Sequence, residues 1–110
     1  HARYLEYFEM GRTELLRRWG FRYRDLETRG FFFVVTKLEC RYKAPAYYDD
    51  MLTLTTRIER QGRARIDHSY AIVREGRILC EAHSVVACVD REGRPTPIPD
   101  DLVPSIPVNE

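Results

Sequence analysis

The chain has 110 residues, with 18 basic and 17 acidic side chains and a formal net charge of +1. That length makes one domain whose core is small enough to benefit from packing partners or symmetry, and the balanced charge supplies no overall field to draw nucleic acid or an anionic membrane. The cysteines Cys40, Cys80 and Cys88 are odd in number and lack C-x-x-C spacing, which argues against a disulfide framework or a zinc site and makes a reducing, cytoplasmic compartment the expectation.

The chain opens at His1 without an initiator Met or a signal-peptide pattern, so residues upstream of it are expected. Over residues 3–19, Tyr4, Leu5, Phe8, Leu15, Leu16 and Trp19 recur at offsets of three, four and seven. This is the stripe of an amphipathic helix, interrupted by Gly11 and Arg12. Arg17 and Arg18 suit the negative end of the helix dipole, Glu14 is spaced to pair with Arg18, and Gly20 supplies a left-handed stop. Gly11 costs about 1 kcal/mol against Ala in a helix interior, which predicts close contact with a sheet.

Residues 23–28 read as a short helical link, and after Gly30 the apolar period drops to 2. Strands are predicted over 31–42, 50–60, 63–74 and 77–90, punctuated by Ala44-Pro45-Ala46, Gln61-Gly62 and Glu75-Gly76. Their short connections predict antiparallel neighbours in a meander. Residues 31–35 and 85–89 are apolar on both parities and need cover on two faces. One helix covers one face, and a second copy of the chain is the simplest cover for the other. No apolar run approaches the roughly 20 residues that cross a bilayer, so a soluble protein is expected. Five of the six prolines follow Arg94, which predicts for 95–107 an extended tail that wraps the surface without a ladder of its own. Residues 1–110 therefore read as one α+β domain, a long helix on the concave face of an antiparallel sheet. That order suits a hotdog fold, and a cystatin-like arrangement equally.

His68 falls among Ile66, Tyr70 and Ile72, and His83 shares parity with Val85 and Ala87. Neither has a Cys, Asp or second His at ligand spacing, so both read as structural and no metal is expected. Asp49 and Asp50 read as turn chemistry after a proline break, and the three cysteines as small apolar core residues. His1, at a chain end, carries no signal by itself.

The run His1-Ala2-Arg3-Tyr4-Leu5-Glu6-Tyr7-Phe8-Glu9-Met10-Gly11-Arg12-Thr13-Glu14-Leu15-Leu16-Arg17 changes that reading. With residues 30–35, Tyr42-x-x-Pro45-Ala46 followed by Asp49-Asp50, and Cys88-Val89-Asp90, it resembles the YbgC-like branch of the 4-hydroxybenzoyl-CoA thioesterase superfamily, in order and spacing up to about residue 99. The resemblance implies a hotdog fold, one long central helix wrapped by an antiparallel β-sheet and incomplete at its N-terminus. The activity it implies is hydrolysis of acyl-CoA thioesters by water, with no metal or redox cofactor and with coenzyme A present only as part of the substrate. It places a catalytic Asp seven residues before His1, upstream of the supplied chain. A backbone N–H of His1 or Ala2 would polarise the thioester carbonyl, and the His1 side chain would orient water, assist proton transfer or hold that Asp.

Tyr4 and Glu9 match family positions. Tyr4 is either catalytic or a core residue with a satisfied hydroxyl, and Glu9 either a general base or a partner of Arg12 or Thr13. Phe33 and Val35 are expected to line an acyl slot between two subunits. Arg63 and Arg94 match phosphate-binding positions, the alternative being solvated turn tips. The expected assembly is a homodimer or homotetramer, with neither nucleic acid nor membrane as partner. Two rivals stand beside this reading: a thioesterase or other hotdog enzyme acting on acyl carrier protein, and a non-catalytic acyl-binding subunit.

Overall fold

The computed structural model describes residues 2–102. Two helices, α1 (Ala2–Arg18) and α2 (Tyr23–Thr28), precede four strands, β1 (Phe32–Tyr42), β2 (Thr53–Gln61), β3 (Arg65–Arg74) and β4 (Arg77–Val89). The α1 stop forms as its sequence predicts: Gly20 has φ +88, and the Gly20 and Phe21 N–H groups donate to the Arg17 and Leu16 carbonyls at 2.9 and 3.3 Å. Glu14 pairs with Arg17 at 3.5 Å and not with Arg18. Both ends of that pair are exposed, where such contacts contribute little. β2 starts at Thr53, later than its pattern suggested, because Asp50 stays in the preceding loop and accepts the Tyr47 N–H at 2.6 Å.

The strands form one antiparallel sheet in the order β1-β4-β3-β2. The meander expectation is therefore corrected. β2, β3 and β4 are hairpin neighbours, but β1 crosses to the far side and pairs with β4. The reason lies in the connections. Glu75 and Gly76, at φ 50 and 80, make a two-residue turn that ties β3 to β4, whereas the chain over 43–52 is too long to dictate which strand β1 joins. β4, apolar on both parities, is thus interior, and β1 and β2 are the edges.

Register puts Cys80, Ala82, Ser84, Val86 and Cys88 of β4 on the face that α1 covers, opposite Ile72, Tyr70, His68 and Ile66 of β3. Two apolar clusters result. Tyr4 and Phe8 pack with Tyr70, Ile72, Cys80 and Ala82 at one end; Leu16 and Leu26 pack with Ile58, Ile66 and Cys88 at the other. Gly11 lies where α1 crosses β2, and a Cβ there would overlap the Thr56 hydroxyl and come within 3.1 Å of Leu54 Cδ2, which is the close contact its position predicted. On the opposite face Val34 is 42% exposed and Val85, Ala87 and Val89 are half-buried, so the described residues leave that face partly uncovered.

Over residues 95–102 the tail departs from the expectation of a surface wrap, and residues 103–107 lie outside the described residues. Pro95 bridges to Val89, the Thr96 N–H donates to the Cys88 carbonyl at 3.0 Å, and Ile98 and Leu102 are buried in the Leu16 cluster. Each of those two side chains adds roughly 1.5–3 kcal/mol by leaving water. The tail enters because Cys88 and Ile66 present an apolar floor that needs more cover than α1 and α2 provide.

Candidate active site

The first turn of an α-helix holds N–H groups without helical partners and the positive end of the dipole. α1 has no acidic residue in its first turn to occupy them. His1, the sequence-predicted catalytic residue, lies outside the described residues. Tyr4 sits within that first turn, buried, its ring stacked on Tyr42 (5.8 Å between centroids, 21°) and tilted against Tyr7 at 6.2 Å. Burial, then the nearby Cys80 thiol and Asp50 carboxylate, raise the Tyr4 phenol above its ordinary pKa. Tyr4 also packs with Phe8 and Tyr70, so its membership of the core holds whatever else it does.

The loop over 43–52 borders this end. Asp50 accepts Arg74 Nη1 at 2.7 Å, the same nitrogen donates to the Pro45 carbonyl at 3.2 Å, and the guanidinium lies 5.5 Å from the Tyr47 ring centre. The Tyr47 N–H and Arg74 together hold Asp50 below the usual carboxylate range. Asp50 is thus a loop brace, as turn chemistry predicted.

Glu9 does not join Tyr4. Its side chain is exposed and lines a cleft of about 720 Å³ between α1 and β2, with Glu6, Met10, Leu54 and Thr56. The anticipated partners are engaged differently. Thr13 donates to the Glu9 backbone carbonyl at 3.0 Å, and Arg12 turns away to Tyr70. Phe33 and Val35 stand opposite Cys88 and Val86 and so belong to the inner face. Phe33 packs edge-on to Tyr23 at 5.8 Å, and Val35 is 45% exposed. A bulge between Val35 and Lys37 resets the alternation, so that Leu38, opposite Ser84, also faces inward. These residues, with Cys40 and Tyr42, make a partly exposed apolar strip along the inner face of β1.

Arg63 and Arg94 are each fixed through the backbone: the Ile98 N–H donates to the Arg63 carbonyl at 2.9 Å and the Arg94 carbonyl accepts the Asp90 N–H at 2.8 Å. Both side chains are exposed, and Arg94 pairs with Asp90 and Glu92 at 3.9 and 3.7 Å. They sit at the Ile66 and Cys88 end of the sheet, whereas the α1 start sits at the Ile72 and Cys80 end. At 3.3 Å per residue the two ends are about 20 Å apart.

Sequence reasoning missed the array between the two apolar clusters. Arg12 Nη1 donates to the Tyr70 hydroxyl at 2.8 Å, which shares a hydrogen bond of 2.6 Å with Ser84 Oγ. His68 stacks on Tyr70 at 6.1 Å, and burial, with the Arg12 charge second, pushes it down to about 4. His68 is therefore neutral near pH 7, and its Nδ1, like Thr56 Oγ1, is buried without a hydrogen-bond partner. Tyr23 is pushed up to about 12 by burial, with Arg12 opposing. The signal was present: Arg12 interrupts the apolar stripe of α1 one turn beyond Phe8. On the other face Asp67, also buried, accepts Arg65 Nε and Nη2 at 3.2 and 3.0 Å and lies 3.9 Å from His83 Nε2. Both histidines thus keep the structural reading. Among the described residues no cluster of three His, Cys, Asp or Glu side chains could hold a metal, and no helix is long and apolar enough to cross a membrane.

Comparison with known proteins agrees with this architecture. The pattern of the family described as the thioesterase-like superfamily matches residues 1–106. The acyl-CoA thioester hydrolase YbgC of Escherichia coli O157:H7 is 36% identical over 105 residues, which cover 94% of this chain and 78% of that protein. The acyl-CoA thioesterase YbgC of Haemophilus influenzae is 38% identical over 91 residues, covering 82% and 67%. Among solved structures, a hypothetical protein of Aquifex aeolicus superimposes with a TM-score of 0.90 at 29% identity, over 97% of this chain and 84% of the other.

Proposed function

The chain belongs to the thioesterase-like superfamily, and from that premise we propose that it hydrolyses acyl-CoA thioesters to a free acid and coenzyme A at the start of α1. The observation that supports this reading is the first turn of α1, which lacks an acidic residue and holds Tyr4 stacked on Tyr42, at one end of the apolar strip on β1. In the proposed step a water oxygen attacks the carbonyl carbon while the carbonyl oxygen gathers charge against the N–H groups of that turn. The carbon–sulfur bond then breaks, and the thiolate takes up the proton that a base removed from the water. The base is the carboxylate that the family pattern puts seven residues before His1, with His1 orienting the water, relaying the proton or holding that carboxylate. Tyr4 shapes the wall of the site, and Glu9, on the separate α1–β2 cleft, stands in reserve as a base.

The working unit we infer is a two-fold dimer joined along β1, the long edge strand whose inner face exposes Val35, Leu38 and Tyr42. Antiparallel pairing of two β1 edges reverses one copy against the other. The Arg63 and Arg94 end of one subunit then approaches the α1 start of its partner, which removes the separation of about 20 Å within one chain and lets those arginines meet the phosphates of coenzyme A. Phe33 and Val35 of both copies would line the acyl slot. The free cysteines suit a reducing compartment, and cytoplasm is the proposed location.

Thiol release from a series of acyl-CoA esters, followed with a chromogenic disulfide, tests the proposal. Turnover should be lost on replacing the upstream carboxylate by its amide and slowed by His1→Ala without an equal loss of stability. Absence of thiol release above the buffer rate, with the esters still bound, would identify a non-catalytic acyl-binding subunit instead.

A further inference from the structure

A polar layer lies between the two apolar clusters, and among the described residues Arg12 is the cation in it. The Arg12 side chain lies on the inner face of α1, part-buried, with one hydrogen bond to the Tyr70 hydroxyl and its carbon Cζ 6.0 Å from the Tyr70 ring centre. Among the described residues no ion pair joins it to a carboxylate, although eight Lys or Arg pairs with carboxylates form elsewhere. A guanidinium offers five donors in a planar fork that matches a carboxylate, and a partly desolvated one without a countercharge is a costly element to keep in a core. Glu9, one turn earlier on α1, acts with Arg12 on the Tyr23 phenol, but no ion pair joins the two among the described residues. The Tyr70 and Ser84 hydroxyls already bond to each other, and His68 is neutral near pH 7.

Arg12 is also linked, through Tyr70 and Ser84, to the apolar strip on β1. Ser84, which closes the Arg12–Tyr70 chain, is the cross-strand partner of Leu38, and Leu38 is 37% exposed on the inner face of β1. Tyr23, whose phenol feels the Arg12 charge, packs on Phe33 at the far end of that strip. Along α1, Arg12 lies about 12 Å beyond Tyr4 at 1.5 Å per residue. An acyl chain whose thioester sits at the α1 start and whose body follows β1 therefore arrives at Arg12 after a medium length.

We propose that Arg12 closes the acyl slot as a specificity-determining residue and that it selects medium-chain acyl groups ending in a carboxylate, bound by the guanidinium fork against Tyr70. This rests on the acyl-CoA reading above. The carboxylate would supply the countercharge the layer lacks, and a plain alkyl end would leave Arg12 without one. Tyr70 acts as a positioning residue that fixes the fork through its hydroxyl.

The test compares suberyl-CoA with octanoyl-CoA, esters of equal chain length that differ in the terminal group, using both thiol release and equilibrium binding. Wild-type protein should favour suberyl-CoA in kcat/KM. Arg12→Gln should cut the suberyl to octanoyl ratio by roughly ten- to a hundredfold, the range of one lost charge-assisted hydrogen-bond pair. Arg12→Lys should recover part of the ratio, and Tyr70→Phe should lower it less than Arg12→Gln does. An unchanged ratio in Arg12→Gln, or a wild type that prefers octanoyl-CoA, overturns the proposal and leaves Arg12 a brace between α1 and β3. Should neither ester be cleaved, the hydrolase reading is the one that has failed, and the binding ratio alone still decides the role of Arg12. A variant that fails to fold shows itself in its circular dichroism, and the Lys and Phe variants then carry the comparison.

Discussion

Replacing Gly11 by Ala sets two effects of known sign against each other. Helix propensity favours Ala by about 1 kcal/mol in a helix interior. Against it, the new Cβ would overlap the Thr56 hydroxyl and stand 3.1 Å from Leu54 Cδ2 and 3.2 Å from Thr56 Cβ. Overpacking of this kind costs about 1–3 kcal/mol, and here it falls on the Thr56 and Leu54 side chains of β2, which must shift to make room. The steric effect should win, for a net loss of up to about 2 kcal/mol. Thr56→Ala separates the contributions. Its hydroxyl is buried without a partner, so removing it should cost less than about 0.5 kcal/mol. In the Gly11→Ala background the same change should restore part of the loss, a coupling of about 1 kcal/mol between residues in contact. Urea unfolding at fixed protein concentration measures wild type and all three variants. Gly11→Ala proteins that are more stable than wild type, or a coupling within error of zero, would show that α1 and β2 do not touch there, and with that the placement of the helix on the sheet fails.

Three further outcomes follow from individual groups. His68 is held down to about 4 against an unfolded value of 6.5, so the unfolded chain binds the extra proton. The stabilisation is complete above pH 6.5, declines as pH falls and is fully lost below about pH 4, a change of about 3 kcal/mol that urea titrations of wild type and His68→Phe should differ by. Asp50→Ala removes the carboxylate shared by Arg74 and the Tyr47 N–H, and should speed proteolysis within residues 43–52 while the far-ultraviolet circular dichroism stays unchanged; uniform cleavage along the chain would count against a local brace. Burial pushes Cys88 up to about 11 and raises Cys80 as well, whereas Cys40 is only half-buried. Iodoacetamide at pH 8 should therefore label Cys40 first, and mass mapping that finds Cys88 modified early would contradict its burial.

Local chemistry alone determined the elements. The 3.6-residue stripe from Tyr4 to Leu16 and the stop at Gly20 made α1, and the two-residue turn at Glu75-Gly76 made the β3–β4 hairpin, because each depends on neighbours a few residues apart. The crowding at Gly11 was legible for the same reason, as a helix penalty that only a close surface explains. What tertiary structure decided concerned groups distant in the chain. The choice of β4 as the neighbour of β1 followed from which strand could use cover on both edges, and the burial of Ile98 and Leu102 from an apolar floor whose extent no local pattern reveals. The separation of Glu9 from Tyr4, the distance of Arg63 and Arg94 from the α1 start, and the convergence of Arg12, Tyr70, Ser84 and His68 have one cause. Periodicity assigns a side chain to a face, but only the docking of helix on sheet determines which faces meet, and charge and burial acquire their chemical meaning there.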